Sequence, residues 1–225
     1  SNTSGFQRTV LIAHDGHIET SQGRVRIETI ALEEDSAREV RDEGKIKTYT
    51  LDRLGIPLVE ITTKPDIKNA EQIKEAALKI GEILRACQVK RGIGTIRQDV
   101  NISIPRGERV EIKGFQDPKI MIPTALNEVA RQKAILELRG KLKFIKTKNL
   151  IQLTDIFKET ECNLLKNKPV FGFRVENANG LIGKELQPGK RIGTDLSEYA
   201  KPVSRIGGII HSDENIEKYE ISNEE

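Results

Sequence analysis

Residues 95–104 of this chain alternate in character. Ile96, Val100, Ile102 and Ile104 share one parity, interrupted by Gln98, while Arg97, Asp99, Asn101 and Ser103 share the other. After the turn residues Pro105-Arg106-Gly107, residues 109–113 set Val110 and Ile112 against Arg109, Glu111 and Lys113. A strand turns successive side chains to opposite faces. The pattern therefore predicts a hairpin with one apolar face and one face bearing Arg97, Asp99, Asn101, Glu111 and Lys113. Carboxylates hold Mg²⁺ through oxygen, and Arg and Lys hold phosphate oxygens. Phosphoryl transfer asks little more of a protein than positioning, metal and counter-charge. From pattern alone, the same face fits a solvated surface with cross-strand ion pairs better than a site.

Two more carboxylate segments stand out. Glu60 lies inside the otherwise apolar run Pro57-Leu58-Val59-Glu60-Ile61. A bare buried carboxylate is costly, so Glu60 must meet water, a cation or a metal. Glu33-Glu34-Asp35 follows another β-rich run and reads as a solvated turn or as part of a site. Other signals are weaker. Arg91-Gly92-Ile93-Gly94 resembles a phosphate loop only loosely, and Gly207-Gly208 suits a strand crossing or bulge. His14, His17 and His211 have no metal-ligand spacing with one another or with Cys87 and Cys162.

These residues need elements to position them. Residues 7–13 and 17–20 read as strands around a hairpin turn at Asp15-Gly16. A second turn at 21–23 leads into a strand over 25–32, and 45–51 and 58–63 read as two more. Residues 69–87 form the clearest helix, capped by Asn69 with Gln72 three residues on. Its stripe of Ile73, Ala76, Ala77, Ile80, Ile83, Leu84 and Cys87 predicts one buried face, with Cys87 inside it. A second helix is expected over 123–140, with Leu126, Val129, Ala130, Ala134, Leu136 and Leu138 on its apolar side. A shorter helix over 154–165 and short strands at 170–175, 181–183 and 206–210 complete the pattern.

At 225 residues the chain is long enough for one large domain or one and a half. It contains no apolar run long enough for a membrane helix. Two cysteines make neither a disulfide framework nor a zinc site and point to a reducing compartment. The net charge of +3 is too small to hold a large nucleic acid on its own, since phosphate contacts dominate such affinity. The start at Ser1-Asn2, without Met, and the charged end at 216–225 both read as cut from a longer protein. The change in texture past residue 168 predicts two domains, 1–168 and 169–225.

Five ordered segments together resemble the GatB/GatE family of tRNA-dependent amidotransferase subunits. They are Ala31-Leu32-Glu33-Glu34-Asp35, residues 52–61, Lys64-Pro65-Asp66-Ile67, residues 96–103 and Val110-Glu111-Ile112-Lys113-Gly114. Residues 90–99, with Gln98, look closer to the archaeal GatE branch, as does a segment over 171–213 similar to an insertion of bacterial-type aspartyl-tRNA synthetases. The resemblance implies an α+β fold: a glutamine-synthetase-like cradle floored by an antiparallel sheet, then a smaller insertion domain. It implies a cytoplasmic ligase that uses ATP and Mg²⁺ to phosphorylate the glutamate on mischarged Glu-tRNA(Gln). Ammonia from an asparaginase-like partner, GatD, then converts it to Gln-tRNA(Gln). On matching positions, Glu34 and Glu60 are expected as metal ligands, and Asp99 and Glu111 as further catalytic contacts. Arg97 and Lys113 are expected at phosphate, on chemical grounds.

One departure bears on activity. The family opens on a Gly-Leu-Glu-(Ile/Val)-His segment whose Glu and His complete the metal site, and this sequence contains none. The chain taken alone is therefore expected to lack amidotransferase activity. Two other readings are a non-catalytic interaction module and a piece of an aspartyl-tRNA synthetase.

Overall fold

The computed structural model describes residues 8–92, 94–142 and 146–221. It is a mixed α and β structure built on antiparallel strand pairs. The chain divides into two units. One runs to Asp99 and resumes over Lys113–Pro123; the other comprises Val100–Ile112 and everything from Thr124. Phe6, Gln7 and Ile93, together with the first residues of the chain and 222–225, lie outside the described residues.

The first unit is led by β1 (Arg8–Thr20) and β2 (Gly23–Glu34). The expected turn at Asp15-Gly16 is absent. Asp15 takes a left-handed conformation (φ 59°) inside β1, and the strand continues in register, with His14 opposite Thr29 and Gly16 opposite Ile27. The hairpin turn lies only at Ser21-Gln22, where Gly23 (φ 115°) supplies a conformation that other residues resist. A separate pair, β3 (Arg38–Asp42) and β4 (Lys47–Thr50), follows, and then β5 (Pro57–Thr63) joins the first two in the order β1-β2-β5.

Helix α1 (Ala70–Ala86) starts where its cap predicts: the Gln72 backbone N–H donates to Asn69 Oδ1 at 2.9 Å. The Gln72 side chain reaches back to accept from Lys68 N–H (3.0 Å) and donates to Thr20 Oγ (3.1 Å). Glu75 accepts both Ser21 N–H and Ser21 Oγ–H, each at 2.6 Å. These polar contacts dock α1 on the β1–β2 turn, over an apolar core of Ile18, Val25 and Ala76 flanked by Ile67 and Ile80. The stripe is covered unevenly towards its end, where Leu84 is half-buried. Ile83 is 51% exposed, and Cys87, expected inside, is exposed beyond the helix end.

β6 (Gln98–Ile102) and β7 (Val110–Phe115) pair as expected. Gln98, the polar interruption of the apolar face, donates its Nε2 to the Ala77 carbonyl of α1 at 3.0 Å. A 3₁₀ turn over Pro118–Ile120 leads into α2 (Met121–Leu142). In the second unit, α2 carries Leu138 into a core with Leu181 and Leu186, against Ala134 and Ile192. The expected buried side of α2 is partly wrong, because Leu126 is 54% exposed while Glu128 and Gln132 are buried.

The remaining strands are two or three residues long. They are β8 (Lys146–Thr147), β9 (Ile151–Gln152), β10 (Phe171–Gly172), β11 (Val175–Glu176), β12 (Glu185–Gln187) and β13 (Lys190–Arg191). They pair β9 with β10, β8 with β11, and β12 with β13. The helix expected over 154–165 is a run of turns. Thr160 Oγ accepts Cys162 N–H (3.1 Å), a local bond that competes with a helix ladder, and Thr154 Oγ accepts Val170 N–H (3.0 Å), which ties this segment to the next strand instead. Residues 181–183 and 206–210 form no strand. An unexpected helix, α3 (Ile192–Ser204), stands between them. No helix among the described residues is long and apolar enough to cross a membrane.

Candidate functional site

The β1-β2-β5 register decides which carboxylates can act together. In an antiparallel ladder, directly opposed residues point to the same side and successive residues to opposite sides. Glu34 lies opposite Arg8 on β1 and Pro57 on β5, whereas Glu60 lies opposite Ala31. Ala31 and Glu33 share a face, and Glu34 is on the other. Glu60 therefore shares its side of the sheet with Glu33, its diagonal neighbour, and the pleat separates it from Glu34.

Their surroundings differ accordingly. The Glu34 carboxylate is ion-paired with the Arg8 guanidinium. It borders a cavity of about 260 Å³ at the sheet end, walled in part by Arg8, Leu32, Gly55 and Pro57 and also lined by Thr9 and Glu33. Gly55 sits in a left-handed conformation (φ 82°), and a Cβ there would stand 3.7 Å from Glu34 Oε1. On the opposite face, Glu33 Oε1 accepts a hydrogen bond from Thr9 Oγ at 3.3 Å. Glu60 is exposed and has no hydrogen-bond or ion-pair partner among the described residues. The neighbouring motif residue Asp66 is a brace. It takes the Arg26 backbone N–H and both prongs of its guanidinium at 2.6–2.9 Å, and those bonds hold its carboxyl far below the usual range.

On the paired strands, the alternation is as the sequence predicts. Asp99, Asn101, Glu111 and Lys113 are exposed, while Val100, Val110 and Ile112 are half-buried and Ile102 is buried. Asp99 accepts the Gly114 N–H at 2.7 Å and lies 3.6 Å from Lys113 Nζ. Arg97, just before β6, is exposed and without a carboxylate partner among the described residues. Asp99 and Lys113 belong to the first unit and Glu111 to the second.

A second polar group went unnoticed in the sequence. On α2, Gln132 donates to the Ile102 carbonyl (3.1 Å) and to Glu128 Oε1 (2.8 Å), and accepts the Ile104 N–H (3.2 Å). Arg131 grips Glu128 with two bonds of 2.7 and 3.0 Å. Burial alone would raise the Glu128 carboxyl; the bonds from Arg131 and Gln132 outweigh it and hold it below its ordinary value. The signal available in the sequence is Glu128, Arg131 and Gln132, three polar residues at helical spacing along one side of α2.

Among the described residues, no three His, Cys, Asp or Glu side chains converge as a closed metal cage. A pair of carboxylates on one face still fits Mg²⁺, which keeps several waters and is bound by one or two carboxylates plus substrate phosphates.

Relatives give this geometry a context. The chain is similar to the E subunit of glutamyl-tRNA(Gln) amidotransferase from Methanocaldococcus jannaschii, 49% identical over the whole chain and 37% of that relative. It is 46% identical to the same-named protein of Methanothermobacter thermautotrophicus and 45% to that of Archaeoglobus fulgidus, again over the whole chain and 37% of each. The chain thus spans 37% of the length of these curated relatives. Over residues 1–178 it matches the GatB/GatE catalytic domain, and the chain belongs to that family.

Proposed function

We propose that this chain forms part of the catalytic subunit of a tRNA-dependent amidotransferase of the GatE kind. Its substrate is glutamate esterified to tRNA(Gln). The side-chain carboxylate is phosphorylated by ATP and then amidated by ammonia from a GatD-like partner. The cradle and the aspartyl-tRNA-synthetase-like insertion are the arrangement we assign to residues 1–168 and 169–225. The observation that carries the proposal is the unpartnered Glu60 carboxylate in an apolar strand, on the face it shares with Glu33. Exposed and unpartnered, Glu60 has its carboxylate oxygens open to a cation that keeps several of its waters.

In this proposal Glu60 and Glu33 hold the metal. Glu34, the ligand expected from the motif, lies across the sheet under Arg8 and orders the other face. Mg²⁺, when bound, supplies positive charge to the phosphoryl oxygens. Arg97 contacts phosphate, its guanidinium free to make a two-pronged contact. Lys113 adds a second cation beside Asp99. Asp99 orients substrate groups beside Lys113, and Glu111 is a further contact from its own unit. Ordered charges of this kind stabilise a transferring phosphoryl group because they need no reorganisation as the reaction proceeds.

The test uses the full-length protein assembled with its ammonia-supplying partner. Glu60→Gln is expected to abolish conversion of Glu-tRNA(Gln) to Gln-tRNA(Gln), and Arg97→Gln to raise the KM for ATP. Full activity in Glu60→Gln would overturn the proposal.

A further inference from the structure

Within the second unit, a cavity of about 490 Å³ lies between the Pro105-Arg106-Gly107 turn and the later part of α2, lined by Arg106, Lys133, Leu136, Glu137, Arg139 and Gly140. Three of its six residues are cations. None of the three has a carboxylate partner among the described residues. The one acidic wall residue, Glu137, is already answered by Lys184 at 3.5 Å. The cavity is thus strongly cationic although the whole chain carries only +3.

The turn is fixed over α2 rather than loosely draped. Gln132 holds the Ile102 carbonyl and the Ile104 N–H, and Gly107 N–H closes the turn on the Ile104 carbonyl at 2.8 Å. A Cβ on Gly107 would stand 2.5 Å from Gln132 Oε1, so the backbone approaches as closely as glycine permits. Arg106 occupies a left-handed conformation (φ 68°) that is strained for a side-chain-bearing residue and that glycine takes freely. Arginine stands here where stability alone favours glycine. Arg139 suits the carbonyl end of α2. That explanation does not extend to Arg106, which comes from another element, or to Lys133, more than two turns earlier.

We infer that this cavity is a docking site for the phosphodiester backbone of RNA. Resting on the amidotransferase proposal, the RNA is the body of the tRNA substrate. The lining has no aromatic ring on which a base would stack and a single apolar side chain, Leu136, so it does not fit a free nucleotide held by its base. Separated cations around an open wall fit successive phosphates.

The experiment measures binding of a labelled tRNA(Gln) transcript to this chain between about 50 and 200 mM salt. It is done in EDTA and without ATP, so that failure of the metal site leaves the result readable. Weak binding is expected. Arg106→Gly, Lys133→Gln and Arg139→Gln should each weaken it and lower the slope of log affinity against log salt by roughly 0.7–0.9, one phosphate contact apiece. Lys79→Gln, the same charge loss on exposed α1, should not change the slope. Arg106→Gly should keep its fold, read by circular dichroism and thermal midpoint, because glycine suits the turn. Equal slopes for the three variants and the Lys79→Gln control would overturn the inference. So would saturation of the cavity by inorganic phosphate, followed by amide shifts at Arg106 and Lys133, with no binding of the transcript.

Discussion

Glu34 and Glu60 project from opposite faces of one antiparallel sheet. The finding follows from register alone: Glu34 is opposite Pro57 and Glu60 opposite Ala31, an odd offset along the paired strands. A one-residue slip would reverse it, which is why sheets with distinct faces fix their register firmly. Arg8 takes the first carboxylate, and the second is left open on the side of Glu33.

Gln132 makes three hydrogen bonds from α2, two of them to the backbone of the strand and turn it packs on. Gln132→Ala removes three hydrogen bonds, taking a partner from the Ile102 carbonyl and the Ile104 N–H and leaving the buried Glu128 carboxylate to Arg131 alone. Such a loss costs about 1–3 kcal/mol. The urea midpoint should fall with the denaturant slope unchanged.

Asp66 gives the fold an acid-sensitive brace. The hydrogen bonds from Arg26 lower its carboxyl from the ordinary 3.8, so its contribution is complete above that pH and is lost as pH falls through the folded value. Asp66→Asn should therefore melt below the parent at pH 7. The gap between the two should narrow as the pH drops below 3.8.

The two cysteines should separate cleanly. Cys162 is fully buried and Cys87 is exposed. An aromatic disulfide reagent should label one thiol quickly in the native protein and the second only in denaturant, because reaction requires an accessible thiolate. Cys87→Ser should abolish the fast phase.

The elements legible in the sequence were those with a local signature. The Asn69 cap, the alternation of residues 98–102 and 110–113 and the turn at 21–23 each declare themselves within a few residues. Asp15-Gly16 misled because its turn chemistry is real but is spent on a left-handed residue inside a continuous strand. The end of the α1 stripe misled because periodicity records which side chains share a side, and among the described residues Ile83 and Cys87 stay exposed. Helix α3 was hidden by Gly193, Pro202 and apolar residues that do not pack inward: Tyr199 and Val203 are 85% and 89% exposed. At the candidate site, the carboxylates of β2 and β5 were visible as unusual residues. Which two share a face was not, because strand pairing is a long-range fact that no single segment encodes.

The most direct test of the central claim is Mn²⁺ binding, followed by electron paramagnetic resonance, to this chain and to Glu33→Gln, Glu34→Gln and Glu60→Gln. Glu60→Gln should lose at least about tenfold in affinity, the scale on which even an outer-shell partner acts. Glu33→Gln should also weaken binding, and Glu34→Gln should stay close to the parent. A loss in Glu34→Gln as large as that in Glu60→Gln, or unchanged affinity in Glu60→Gln, would contradict a metal held on the Glu33–Glu60 face.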